Sequence, residues 1–234
     1  MTLPFPARPF PVIDFHTHTI QSDGELAPAE LARRAAVKGY RVLGISDHVD
    51  QSNLQTALEA ALTASRELSG IIGLTILAGV ELTHVPPVQI AAMVVKARAL
   101  GADFVIVHGE SPVEPVAPGT NLAAVEAGAD ILAHPGLITE MEVKAAARKG
   151  MFLEISARGG HCLANGLVAS LALTYGARLL INSDAHAPSD ILTPELQMAV
   201  ALGAGLDYQT YTSIMNSAAI WAESLSAQAG LDVD

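Results

Sequence analysis

Short runs of apolar and β-branched residues recur along the chain: Val12 to Phe15, Arg41 to Ile45, Thr75 to Val80, Phe104 to Val107, Asp130 to Ala133, Met151 to Ile155 and Arg178 to Ile181. These seven runs are too uniformly apolar to have one wet face, which predicts strands of a parallel sheet covered by helices. The segments between them are rich in Ala, Leu and Glu at helical spacing, and Pro28, Pro87 and Pro194 stand where first helical turns would begin. Gly39, Gly70, Gly101, Gly128, Gly150, Gly176 and Gly203 sit where each helix would end before the next strand. Their spacings of 31, 31, 27, 22, 26 and 27 residues describe seven similar strand-then-helix units. An open doubly wound sheet would share this pattern. The evenness of the units, and the polar residues that follow the strands, favour an α/β barrel that is closed or nearly closed. A last helix is expected from about Asp207 to about Ser226. No Pro/Ser/Gly linker, charge run or low-complexity segment divides the chain, so residues 1–234 read as one domain with its core at about 11–205. The segment Glu110 to Asn121, with Pro112, Pro115 and Pro118, is the longest structureless connection near the strand ends, of the kind that often serves as a lid.

Composition narrows the class. Half of the 234 residues are apolar, which excludes a disordered chain, while 13 Lys and Arg against 24 Asp and Glu give a net charge of −11. Such a chain with no basic run is a poor match for a nucleic-acid backbone or an anionic membrane surface. No uninterrupted apolar stretch reaches the roughly 18 residues needed to span a bilayer. The opening MTLPFPARPFP lacks the pattern of a secretory signal, and the lone Cys162 cannot form an internal disulfide, so a reducing cytoplasm is the expected location. Oligomeric state is not legible in the sequence.

The chemistry-bearing residues follow the strands. The first run ends in His16-Thr17-His18, whose imidazoles lie two apart and so share a face of extended chain; Ser22-Asp23-Gly24 comes next. Later runs end in Ser46-Asp47-His48, Gly79-Val80-Glu81, Val107-His108-Gly109, Ala133-His134-Pro135 and Ser183-Asp184-Ala185-His186. A single histidine at such a place is usually a hydrogen-bonded loop residue. Six of the chain's eight together are a ligand set, and imidazoles with carboxylates suit zinc, manganese or iron. The set exceeds what one tetrahedral ion requires, so more than one ion is expected, with Glu81 the natural bridge.

The ordered motifs HTHTIQSDG, ISDH, GVE, VHG, AHPG and SDAH, spread from residue 14 to 187, resemble the PHP domain family (polymerase and histidinol phosphatase), in particular its short histidinol-phosphatase-like members. The resemblance implies a distorted seven-stranded (β/α)7 TIM-like barrel with two or three divalent ions. His16, His18, Glu81 and Asp184 would hold the first ion. Glu81 would bridge to a second held also by His108 and His134, and Asp23, His48 and His186 would hold a third. The implied activity is hydrolysis of a small phosphorylated substrate by a metal-activated water. Three divalent ions against Asp23, Glu81 and Asp184 would make the barrel mouth positive despite the acidic chain.

Smaller expectations attach to other residues. Arg158 and His161, in SARGGHCLANG, could grip a phosphate and protonate a leaving group, with a loop cation and a helix cap as the plain alternative. Glu154, Asp14 and Asp47 are candidates to orient ligand histidines, and His84 to satisfy free N–H groups at a helix start. No role is assigned to Cys162. Three other functions fit parts of the pattern. Phosphodiester or exonuclease chemistry would use the same ligands, but the acidity disfavours long nucleic acid. An amidohydrolase-type barrel would also begin with HxH, but it would place a lysine after a middle strand where none follows the fourth run here. A noncatalytic scaffold like a ribonuclease P protein component would not need nine ligand candidates.

Overall fold

The computed structural model describes residues 10–231, and the reading of the extreme N-terminus lies outside them. All seven expected runs are strands: β1 (Val12–Asp14), β2 (Tyr40–Ile45), β4 (Thr75–Leu82), β5 (Phe104–His108), β6 (Ile131–Ala133), β7 (Phe152–Ser156) and β8 (Arg178–Asn182). They pair in parallel in the order β1-β2-β4-β5-β6-β7-β8. A two-residue strand, β3 (His48–Val49), pairs with the end of β4 and sets His48 opposite Glu81. Helices α1 (Pro28–Lys38), α2 (Leu54–Leu68), α3 (Pro87–Ala99), α4 (Thr120–Ala127), α5 (Glu140–Lys149), α6 (Asn165–Tyr175) and α7 (Pro194–Gly203) alternate with the seven strands, and α8 (Tyr208–Ala229) follows. The result is a nearly closed (β/α)7 TIM-like barrel.

Local signals account for most helix boundaries. Pro28, Pro87 and Pro194 are first residues of their helices, where a missing N–H costs nothing. The helix expected to stop before Gly203 instead includes it, and Gly205 takes the left-handed conformation two residues later with φ 87°. Asp207 accepts a hydrogen bond from the Thr210 N–H and starts α8, which runs to Ala229, three residues beyond the expected end. None of the described helices is long and apolar enough to cross a membrane.

The two ends of the barrel differ in character. At the strand-start end, Trp221 from α8 packs against Phe15 and Phe152, with ring centroids 4.5 and 4.7 Å apart, and Phe104 meets Phe15 edge-on at 5.7 Å. Gly79 is required there, because a Cβ would lie 2.3 Å from the Phe104 ring. At the strand-end side the polar residues gather.

Between β1 and β8 the barrel closes through side chains rather than a regular ladder. Buried Gln197 of α7 donates its amide to the carbonyls of Ile13 at 2.8 Å and Ile181 at 2.9 Å. Phe15 N–H donates to Asn182 Oδ1 at 3.1 Å, and Ser183 N–H to Asp14 Oδ1 at 3.2 Å. Beyond the strands, Thr17 pairs with Ala185, and His18 N–H donates to the Ala185 carbonyl. Replacing Gln197 with leucine would strand two buried carbonyls, each worth about 1–3 kcal/mol. The Gln197→Leu protein is expected to unfold at clearly lower urea concentration than the parent, by tryptophan fluorescence; an unchanged midpoint would show that the seam does not depend on this amide.

Candidate metal centre

All eight histidines meet at the strand-end side. Ring contacts link them: His84 to His108 at 5.4 Å, His108 to His134 at 4.4 Å, His134 to His161 at 4.1 Å, His134 to His16 at 5.7 Å, His16 to His18 at 5.0 Å, and His18 to His48 and His186 at 4.4 and 4.1 Å. Six of them come from strand ends, as the sequence expects. His84 and His161 are brought in by loops.

Glu81, at the end of β4 and fully buried, lies at the middle. Its Oε2 is 2.9 Å from His48 Nε2 and 3.8 Å from His18 Nε2, and its Oε1 is 3.3 Å from His16 Nε2 and 3.7 Å from His134 Nε2. Burial opposes its ionisation, yet His16 and His48 hold its carboxyl well below the usual range. Asp184 reaches His18 Nε2 at 3.3 Å and His134 Nε2 at 3.6 Å. Burial pushes its carboxyl up to about 7. Asp23, on the loop after β1, lies 3.2 Å from His186 Nε2 and 3.5 Å from His48 Nδ1. Although partial burial opposes it, these two histidines bring Asp23 down to about 2.

A further layer of side chains aims the histidines. Glu154, inside β7, takes the His16 ring at Nδ1 through a 2.8 Å hydrogen bond, leaving Nε2 to face the centre. The same carboxylate accepts from Asn182 Nδ2 at 2.8 Å and from the His134 N–H at 3.0 Å, so its burial is fully compensated. Asp14 acts on backbone, accepting from the His16 and Ser183 N–H groups and from the Tyr40 hydroxyl, and burial raises its carboxyl to about 6. Asp47 does not touch His48. It accepts from the Thr19 N–H, the Thr19 hydroxyl and the Ser22 hydroxyl, and so fixes the turn that carries Asp23. Among the described non-glycine residues, those with positive φ are His84, His134 and Asp184, a concentration of backbone strain at one site.

The loops past β5 and β7 add contacts that the sequence does not mark. The segment Glu110 to Asn121 is clamped at its base, Glu110 Oε1 accepting from the Gly119 and Asn121 N–H groups and Asn121 Oδ1 from the Glu110 N–H. From it Glu114 reaches His108, His161 and His84 at 3.1, 3.3 and 3.4 Å. Nothing in the sequence marks Glu114 beyond its place in a proline-rich loop near the strand ends. His84 caps no helix: α3 starts after Pro86 without a side-chain cap, and His84 turns to Glu114 instead. Arg158 donates to the Asp184 carbonyl at 3.1 Å and lies 2.7 Å from His186 Nδ1. Cys162 faces away, into a cavity lined by Ala157, Leu163 and Val200.

The donor set fits divalent metal. Side-chain nitrogens and oxygens converge in four groups, namely His16, His18 and Asp184; His16, His134 and Glu154; His18, Asp23, His48 and His186; and His108, His134 and His161, with ligand atoms in each group within 4.8 Å of one another. Buried His16 Nε2, both nitrogens of His18, Glu81 Oε1, His134 Nδ1 and His161 Nδ1 have no hydrogen-bond partner. Each such orphan costs about 1–3 kcal/mol, and a cation among them would satisfy several at once.

A family model, the PHP domain, matches residues 14–117. An uncharacterized protein of Methanocaldococcus jannaschii is 47% identical over 195 residues, which is 82% of this chain and 89% of that protein. A 5'-3' exoribonuclease of Haemophilus influenzae is 34% identical over 70 residues, 30% of this chain and 23% of the exoribonuclease. Among solved structures, a chain of archaeal ribonuclease P with mature tRNA has a TM-score of 0.66 at 17% identity, covering 92% of both chains, a likeness of fold.

The electrostatics predict proton release on metal binding. Burial holds His18 and His134 well below the usual imidazole range, so they are neutral at pH 7. Burial alone would also lower His16 and His48, but Glu154, Glu81 and Asp184 around His16, and Glu81 and Asp23 around His48, outweigh it and raise both, His16 well above the usual imidazole range so that its ring is protonated. An incoming cation must displace that proton. Calorimetric titration of metal-free protein with Mn²⁺ at pH 7 should therefore give enthalpies that differ between two buffers of unlike ionisation enthalpy, with net proton release. Equal enthalpies in both buffers would contradict the protonated state of His16.

Proposed function

The chain belongs to the PHP domain family, whose membership implies a metal-dependent hydrolase, and on that premise we propose that it cleaves small phosphate monoesters, of the histidinol phosphate type, at a site of two or three Zn²⁺, Mn²⁺ or Fe²⁺ ions. The observation that carries this reading is the concentration of eight metal-ligand candidates, His16, His18, Asp23, His48, His108, His134, Asp184 and His186, about the ninth, buried Glu81, with a guanidinium at their edge. When bound, such ions activate water near neutral pH and neutralise phosphate oxygens.

The chain's own residues supply position and charge. Glu154 fixes the His16 tautomer so that Nε2 is the ligating atom. Arg158 offers a planar fork of donors at the Asp184 and His186 edge, suited to two oxygens of a phosphate. Asp14 and Asn182 hold the β1 and β8 ends together, so that His16, His18 and Asp184 keep their spacing. His161 is buried, and burial lowers its pKa, which favours its neutral form.

A second reading, cleavage of phosphodiesters in short oligonucleotides, is favoured by the 34% identity to the exoribonuclease over 70 residues. The net charge of −11 argues against long polymers. An amidohydrolase reading would call for a bridging lysine after a middle strand, and Glu81 at the end of β4 stands instead.

Manganese- or zinc-loaded protein is expected to hydrolyse an aryl phosphate, with Glu81→Ala and His16→Ala at background; turnover unchanged in those variants would reject the assignment. A panel of phosphomonoesters, dinucleotides and single-stranded DNA separates the two readings, since the first expects turnover of the monoesters alone. In steady-state kinetics, Arg158→Ala should raise KM for the preferred monoester about tenfold or more, from the loss of a charge-assisted hydrogen bond worth about 1.5–3 kcal/mol. An unaltered KM would remove Arg158 from the phosphate site.

A further inference from the structure

Two residues at the mouth stand outside the nine ligand candidates read from the sequence. His161 opens the short 3-10 turn after β7, and Glu114 hangs from the loop after β5. Their sequence neighbours bring them together. Gly160 has φ 88°, and a Cβ there would lie 3.2 Å from both methyl carbons of Val113, so the absence of a side chain lets the two loops pack. That contact sets Glu114, the residue after Val113, against His161.

The geometry around His108 is that of one ion's surroundings. The ligand atoms of His108, His134 and His161 lie within 4.8 Å of one another, and all three residues are buried. Nδ1 of both His134 and His161 is buried without a hydrogen-bond partner. The two oxygens of Glu114 divide between rings, Oε2 at 3.1 Å from His108 Nε2 and Oε1 at 3.3 Å from His161 Nε2. Donors bound to one tetrahedral ion at about 2.0–2.2 Å stand about 3.3–3.5 Å from each other, close to these separations. Glu114 also differs from Glu81. Its side chain is one-third exposed and on a loop, whereas Glu81 is buried in a strand. A carboxylate so placed can leave without disturbing the barrel.

We propose that His161 is a third imidazole ligand of the ion held by His108 and His134, and that Glu114 is its displaceable ligand, which an oxygen of the substrate replaces. The exchange swaps one anionic oxygen donor for another and forms or breaks no covalent bond. His84, 3.4 Å from Glu114 Oε2, offers the released carboxylate a partner. The proposal rests on the site being a metal centre, but not on which ester it cleaves.

Metal-free protein, its His161→Ala and His161→Gln variants and its Glu114→Gln variant are titrated with Co²⁺. Bound metal is counted after equilibrium dialysis, visible absorption reports coordination, and circular dichroism monitors folding. Both His161 variants, natively folded, should lose one Co²⁺ or bind it at least tenfold more weakly, with a changed visible spectrum. Glu114→Gln should keep the Co²⁺ count, alter the visible spectrum, and bind inorganic phosphate about tenfold more tightly because a competing carboxylate is gone. Parental Co²⁺ count, affinity and spectrum in both His161 variants would overturn the proposal, even if their turnover fell, since that pattern belongs to a proton donor. Unchanged phosphate affinity in Glu114→Gln would overturn the displacement step. Should the parent protein bind Co²⁺ yet hydrolyse no phosphomonoester, the substrate reading fails while the Co²⁺ comparison still decides the role of His161.

Discussion

A carboxylate buried where no water reaches it has to be matched by positive charge, and Glu81 imposes that requirement on the whole barrel mouth. Four imidazoles lie within 3.8 Å of its two oxygens, delivered by the ends of β1 and β6 and by the β3 segment. Drawing so many rings onto one acid crowds them against each other. Burial and the neighbouring rings depress His18, the carboxylates around His16 raise it, and several nitrogens are left with no hydrogen bond to make. A divalent cation would bind neutral imidazole, add positive charge beside Glu81 and satisfy the orphaned atoms.

Closure of the barrel and aim of the ligands are one hydrogen-bond network. Asn182 accepts from the Phe15 N–H and donates to Glu154, which in turn holds the His16 ring and the His134 backbone. Asp14 joins the His16 and Ser183 backbones across the same seam. A regular ladder between β1 and β8 would hold the strands equally well, but it would occupy backbone groups without presenting any side chain. The side-chain seam instead places polar groups under the ligands, where they choose tautomers and orientations.

Charge acts on two scales. The chain as a whole is acidic, with 13 Lys and Arg against 24 Asp and Glu and no run of basic residues in its sequence. At the mouth the balance is local: Asp23, Glu81, Glu114 and Asp184 are surrounded by eight imidazoles and Arg158, and divalent ions would turn that region positive. A positive mouth of that kind attracts a small diffusible anion, in keeping with the proposed compact phosphate ester.

Much of this was legible in the sequence because it depends on local order. Strand runs, proline starts and the placement of His16, His18, His48, His108, His134 and Asp184 after strands follow from periodicity and from parallel barrels presenting strand ends on one side. That Glu154 meets a ligand histidine was also legible, since a carboxylate inside an apolar strand needs a nearby partner; that the histidine is His16 was not. Other features came only with tertiary structure. Glu114 meets His161 because two loops, 47 positions apart, pack at Gly160, and Gln197 of α7 bonds Ile13, 184 positions away. His84 turns to Glu114 rather than capping its helix for the same kind of reason. Short-range patterning selects elements and the ends from which side chains project; which loop carboxylate faces which imidazole depends on contacts between distant segments, and no local periodicity encodes those.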